Sequence, residues 1–70
     1  MIEIFKTNIQ EGSQCTDLID MILRHYPSYK INFDLEDCDK ILRVEALSIN
    51  NEDVISFLGE SGFDCEVLPD

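Results

Sequence analysis

Cys15 is the residue whose type and position come closest to a recognisable chemistry. The stretch Gly12-Ser13-Gln14-Cys15 follows an apolar segment and leads into an amphipathic one. Two thiolates three residues apart at such a junction would hold a soft metal ion, because a polarisable cation prefers sulfur ligands. Only the second of these positions is Cys, and a single thiolate cannot chelate an ion by itself. The sequence therefore predicts half of a soft-metal site.

The predicted place of Cys15 leaves several roles open. At the N-terminus of a helix the positive end of the helix dipole can lower the pKa of a thiol, which would favour a reactive or redox-responsive group. Two chains could also share one Cu(I) or Zn(II) ion through their Cys15 thiolates across a twofold axis. A relic that packs against the loop is the reading that we favour.

Cys38 and Cys65 are the two further cysteines of the chain. The predicted topology brings both to the end of the sheet that carries Cys15, which would allow a three-thiolate metal site. Strand spacings of ~4.8 Å separate the hairpin from the helix start, so a small buried hydrophobic role is the better prediction for Cys65. Three widely spaced Cys predict no disulfide framework, and no signal segment is recognised before the first strand. A reducing, cytoplasmic compartment is therefore expected.

An acidic cluster and a single histidine complete the candidate sites. Asp34, Glu36, Asp37 and Asp39 could attract a hard cation such as Ca²⁺, which takes carboxylate oxygens. Their spacing is not that of a known calcium loop, and a charged edge that deters strand-to-strand aggregation is the favoured interpretation. His25, the only His in the chain, is predicted to interact with the last carbonyls of its helix.

The remaining residue patterns do not indicate an enzyme. The serines have only His25 as a candidate general base, and the predicted layout places it at the opposite end of the domain from Ser13 and Cys15. The three glycines fit no nucleotide-binding fingerprint. We therefore predict no catalytic residues and no bound organic cofactor.

Composition and charge restrict the partners. Fifteen acidic and five basic residues give a formal net charge of -10, which repels nucleic acid and anionic lipid surfaces. Such a field favours a basic protein surface or a cation as partner, but the favoured interpretation is that the charge only keeps the domain soluble. No apolar run approaches the ~20 residues that span a bilayer. The chain is 44% hydrophobic, which predicts one small folded domain over residues 1–70.

Hydrophobic periodicity predicts six secondary-structure elements. They are a strand over 2–9, a helix that starts near Cys15 and ends before Pro27, a strand over 29–36, a strand over 42–46 after a turn over 37–40, a second helix, and a strand over 63–67. In the first helix Ser13 or Thr16 is the predicted N-cap, and Asp17 is expected in the first turn. The second helix is predicted to be capped by Asn50 and closed by Gly62. The order βαββαβ predicts an α+β, ferredoxin-like sandwich, in which a four-stranded antiparallel sheet carries both helices on one face.

The whole chain resembles the heavy-metal-associated domain of small copper chaperones and metal-pumping ATPases. The matching motifs are Phe5-Lys6-Thr7-Asn8, Cys15 at the helix start, Pro27, Asn50-Asn51-Glu52 and Gly62-Phe63. In that family the loop after the first strand holds Met-x-Cys-x-x-Cys. Here Gly12 stands at the first Cys and Gln10 at the Met, so the CxxC motif is degenerate and its loop is one residue longer.

The resemblance implies a role in binding rather than in catalysis. We expect a module that has lost ordinary metal chelation and acts through protein contacts, with a partner or with itself as a homodimer. The exposed sheet face around Ile2 and Ile4, together with the acidic hairpin, is the predicted contact area. The alternative is a carrier of Cu(I) or Zn(II) in which Cys15 supplies one ligand and a second chain or a partner supplies the others.

Overall fold

The computed structural model describes residues 1–69 and contains the six elements in the predicted order. They are β1 (Ile2–Thr7), α1 (Gly12–His25), β2 (Lys30–Asp34), β3 (Ile41–Glu45), α2 (Asn51–Glu60) and β4 (Cys65–Val67). The strands form one antiparallel sheet in the order β2-β3-β1-β4. The predicted α+β, ferredoxin-like fold is confirmed.

The strands β1, β2 and β4 are shorter than predicted, and side chains turn the backbone at the ends of β1 and β2. At the end of β1 the hydroxyl of Thr7 accepts a hydrogen bond from the backbone of Ile9 and donates one to the carbonyl of Lys40. Ile9, predicted as the last strand residue, is fully buried in the following loop. β2 ends where the Asp34 carboxylate accepts a hydrogen bond from the Glu36 backbone at 3.2 Å.

The helix α1 begins earlier than predicted. Glu11 is its N-cap, and the side chain of Gln14 accepts a hydrogen bond from the Glu11 backbone N–H at 3.3 Å. The predicted caps Ser13 and Thr16 are therefore wrong, since both lie inside the helix. Asp17 was predicted to lie in the first turn of the helix, but because the helix begins at Gly12 it lies beyond that turn.

The helix α2 begins as predicted, and its C-cap is Ser61, one residue before the predicted Gly62. The Asn50 side chain accepts a hydrogen bond from the backbone N–H of Asp53, which caps the N-terminus. Gly62 follows the last turn with φ of +89°, a conformation that glycine adopts without strain. The backbone N–H groups of Gly62 and Phe63 donate to the carbonyls of Gly59 and Leu58, which is the Schellman arrangement that closes many helices. Because Phe63 takes part in this motif, β4 starts only at Cys65.

The hydrophobic core lies between the helices and one face of the sheet, which we call the covered face. Both helices, the two central strands and two loop positions contribute fully or almost fully buried side chains: Phe5, Ile9, Cys15, Leu18, Ile22, Tyr29, Leu42, Val44, Val54 and Leu58. This burial is the main source of stability available to so small a domain.

The opposite face of the sheet has no element packed on it within residues 1–69, and we call it the open face. Strand alternation and register place these side chains on it: Ile2, Ile4, Lys6, Lys30, Asn32, Asp34, Ile41, Arg43, Glu45 and Glu66. Leu68 continues the alternation beyond β4, where its backbone N–H donates to the carbonyl of Ile4 at 2.8 Å. Neither helix combines the length and apolar character that crossing a bilayer requires.

Candidate functional site

Cys15 belongs to the hydrophobic core rather than to the surface. It lies in the first turn of α1 and is 6% exposed. Burial raises the pKa of the Cys15 thiol, so the expected lowering by the helix dipole does not prevail. A protonated, enclosed thiol is a poor nucleophile and a poor metal ligand. These features agree with a packing role for the Cys15 side chain.

The structure does not bring the three thiols together. Cys38 is exposed in the β2–β3 turn, whereas Cys65 is partly buried and packs against the core. Within residues 1–69, Cys15, Cys38 and Cys65 do not form a group of ligand atoms within 4.8 Å of one another. Desolvation raises the pKa of Cys65 to about 12, as suits the predicted small hydrophobic role.

The other motif positions have local structural roles. Gly12 is the first residue of α1, and a Cβ built on it would meet no atom within 4 Å. Ser13 is exposed and Gln14 caps the helix. Phe63 closes α2 and packs against the core. A side chain at Gly12 would therefore lie in open space, while the sulfur of Cys15 is enclosed.

The acidic turn between β2 and β3 is held by hydrogen bonds of its own. The ligand atoms of Asp37, Cys38 and Asp39 lie within 4.8 Å of one another, whereas Asp34 and Glu36 are outside this group. The Asp37 carboxylate accepts a hydrogen bond from the Asp39 backbone at 2.9 Å. Such a bond is the ordinary way in which Asp stabilises a turn, so the cluster is explained without a cation.

An aromatic groove that the sequence reasoning missed lies at the other end of the domain. Its volume is about 620 Å³, and its lining includes the stacked rings of Tyr26 and Tyr29, whose centroids are 4.6 Å apart. The Tyr26 hydroxyl donates to Asp53, which raises the pKa of Tyr26 to about 12, and the Tyr29 hydroxyl accepts from the backbone of Asn50. Both tyrosine hydroxyls are therefore engaged in hydrogen bonds within the chain.

The open face carries apolar side chains that have no partner in the core. Ile4, Ile41 and Leu68 are partly buried, yet none of them packs against the core cluster, and Ile2 is 42% exposed. Period-two alternation indicated Ile2 and Ile4. It did not reveal Ile41 and Leu68, because their place depends on the strand register. Apolar residues grouped on an uncovered face of this kind are a feature of contact surfaces.

The charges of the open face are balanced, although the chain is strongly acidic. Three basic residues, Lys6, Lys30 and Arg43, lie there with three acidic residues: Asp34, Glu45 and Glu66. The whole chain has five basic and fifteen acidic residues. The other charged residues among 1–69 lie in the helices, the turns and loops or, in the case of Glu3, on the covered face. The open face is thus a nearly neutral surface on a negative molecule.

Comparisons of the chain with family models, with curated proteins and with solved structures find no match. The fold is therefore established by the arrangement of the strands and helices alone. The resemblance to heavy-metal-associated domains is a proposal.

Proposed function

We propose that the chain is a non-catalytic protein-binding module, similar to a heavy-metal-associated domain that has lost its chelating motif. Its contact surface is the open face of the sheet. The observation that carries this proposal is the group of Ile4, Ile41 and Leu68, which are partly buried without packing against the core.

The position of these apolar side chains supports a contact role. Ile4 lies on the central strand β1, and Ile41 begins the neighbouring strand β3, so both are held by the most extensively paired part of the sheet. Leu68 is tied to Ile4 through the backbone. A rigid apolar surface loses little conformational entropy when a partner binds, and this favours association.

The burial of Cys15 supports the loss of ordinary chelation. For the alternative function, a soft-metal carrier, the Cys15 sulfur would have to reach a ligand from a second chain or partner. With 6% exposure and a pKa raised by burial, this thiol would have to leave the core before it could bind an ion. The carrier role therefore has less support than the binding role.

Site-specific photo-crosslinking tests the proposed contact surface. A photoreactive amino acid is placed at Ile4 in one variant and at Leu47 in a control variant, because Leu47 is fully exposed and lies outside the open face. Irradiation in cells that make the protein should give discrete adducts from position 4 and none from position 47. Adducts identified by mass spectrometry then define the partner.

Two outcomes would contradict the proposal. One is the absence of any adduct at position 4, with the variant folded by circular dichroism. The other is an equal yield of the same adducts from position 47, which would show that contacts do not select the open face.

A further inference from the structure

We infer that the open face binds a second copy of this chain, so that two sheets pack face to face. This inference rests on the proposed binding role of the open face and names its partner. It is carried by the charge distribution, by the apolar residues of that face and by the area available for contact.

Charge complementarity selects the open face for self-association. Two chains that each carry a net charge of -10 repel one another over most of their surfaces. The open face, with three basic and three acidic residues, is the broad surface on which this repulsion is smallest. By contrast, α2 has Glu52 and Asp53 in its first turn and no basic residue in its last. A basic partner would find more attraction on α2 and the acidic turn than on the open face.

Charged groups of both signs on the open face remain free to pair between chains. The one ion pair within 4.0 Å among residues 1–69 joins Lys6 to Asp39 at 3.8 Å. Lys30 and Arg43 therefore have no carboxylate of the described residues within that distance, although Asp34 and Glu45 lie on the same face. Because a twofold axis brings a surface against its own copy, each unpaired cation can meet an unpaired carboxylate of the other chain.

The size of the open face is sufficient for a weak dimer. The Cα extents of the domain are 28 × 26 × 17 Å, and the shortest extent fits the stacking of one sheet on one helix layer. Because the broad face of one copy lies within 28 × 26 Å, covering it on two copies would bury on the order of 1,000 Å² in total, which is typical of weak or transient interfaces. Sheets that pack in this way lie about 10 Å apart, with side chains interleaved. Interfaces of this size are usually weak, and we expect a reversible dimer with a dissociation constant in the micromolar range.

Sedimentation velocity and equilibrium measurements test the dimer directly. The wild type is compared over a wide concentration range with Ile4→Glu and with Leu47→Glu. Both substitutions replace an aliphatic side chain by a carboxylate and add one negative charge, but only Ile4 lies on the open face. Ile4→Glu should raise the dissociation constant roughly tenfold or more, because it places a carboxylate in the contact. Leu47→Glu should leave it within about twofold of wild type.

Arg43→Glu provides a second variant in case Ile4→Glu disturbs the fold. Arg43 is exposed, so its replacement leaves the core intact. The substitution also gives the neutral open face a net negative charge. We expect this variant to be monomeric where wild type is half dimeric. Circular dichroism and thermal unfolding confirm that each variant is folded.

The salt dependence separates self-association from the binding of a basic protein. The screening length falls from about 30 Å at 0.01 M salt to about 10 Å at 0.1 M, so added salt weakens the repulsion between two acidic chains. Salt also screens the few ion pairs between the chains, but the repulsion between two net charges of -10 is the larger effect, so the dimer should become tighter as salt is raised over this range. Attraction to a basic partner would become weaker.

The outcomes distinguish this inference from the function on which it rests. If the wild type remains monomeric at millimolar concentration in 0.3 M salt, or if Leu47→Glu weakens the dimer as much as Ile4→Glu does, the self-association inference is overturned. If position 4 then crosslinks to a chain of a different mass, the binding function stands and its partner is another protein. If position 4 gives no adduct at all, both are wrong.

Discussion

The two faces of the sheet are built from alternate residues of the same strands, yet they differ in what covers them. On the covered face Phe5, Leu42 and Val44 are fully buried beneath the helices. On the open face their immediate neighbours Ile4 and Ile41 are also apolar, but they do not pack against the core. The covered face accounts for the stability of the domain, whereas the open face is available for contacts. Cys15, the residue with the most suggestive chemistry, belongs to the covered side.

The largest expected effect is on the free energy of unfolding, and it is seen by comparing substitutions at Phe5 and at its neighbour Ile4. Phe5→Ala should lower the free energy of unfolding by about 3–5 kcal/mol, because it leaves a cavity in the core. Ile4→Ala should lower it by about 1 kcal/mol or less, since only contacts across the sheet surface are lost. Urea unfolding of dilute protein measures both values. Equal losses would show that the two faces do not differ in their contribution to stability.

Cys15 provides the next comparison. Cys15→Ser should destabilise the domain by about 1–3 kcal/mol, because a hydroxyl replaces a buried sulfur without an assured hydrogen-bond partner. The same substitution at exposed Cys38 should have no measurable effect, which makes it the matched control. Thermal and urea unfolding under reducing conditions give both values. If the two variants were equally stable, the Cys15 sulfur would not be part of the core.

A smaller effect is expected at alkaline pH. The pKa of Cys65 rises from its ordinary value of 9.0 to about 12 in the folded chain because of desolvation. The unfolded chain therefore loses this proton first as the pH increases, so the stabilising contribution present below pH 9 is lost between about pH 9 and 12. Burial also raises the pKa of Cys15, and the hydrogen bond to Asp53 raises the pKa of Tyr26, so both groups add to the loss of stability at alkaline pH.

The comparison of wild type with Cys65→Ala isolates the contribution of this thiol. The free energy of unfolding should fall less between pH 8 and pH 11 in the variant, as measured by urea titrations at each pH. Parallel curves for the two proteins would contradict the shifted pKa. Cys65 lies on the covered face, so this result also tests how well that face excludes water.

No difference in bound metal is expected between wild type and Cys15→Ser. After incubation with Cu(I) or Zn(II) and gel filtration, wild type and Cys15→Ser should retain the same small amount of metal, because the thiol is enclosed in the core. Metal analysis by mass spectrometry gives the stoichiometry. One ion per chain or per two chains in wild type, lost in Cys15→Ser, would instead support the carrier alternative.

Most of the fold was predictable because local signals and hydrophobic patterns agree. The order of the elements, the Asn50 cap and the glycine at the end of α2 all follow from short-range chemistry. The start of α1 was mispredicted because Ser13 and Thr16 are better isolated caps than Glu11. The Gln14 side chain reverses that preference through its bond to the Glu11 backbone.

The candidate sites were less predictable, since they depend on packing between distant segments. The burial of Cys15 is set by how α1 lies on the sheet, which no local pattern of residues specifies. For the open face, the sequence predicted two of the apolar residues but not the balance of charges. Ile2 and Ile4 alternate visibly, but the neutrality of the face arises when the register sets Lys30 beside Glu45 and Lys6 beside Glu66.

The balanced charges of the open face also give the molecule a preferred orientation in an electric field. The helices carry Asp17, Asp20, Glu52, Asp53 and Glu60 against a single Arg24, so the helical side is negative whereas the open face is neutral. The chain therefore has a dipole moment with a component across its thickness. On a positively charged support, such as an anion-exchange resin, it should adsorb through its helices and present the bare strands to the solution.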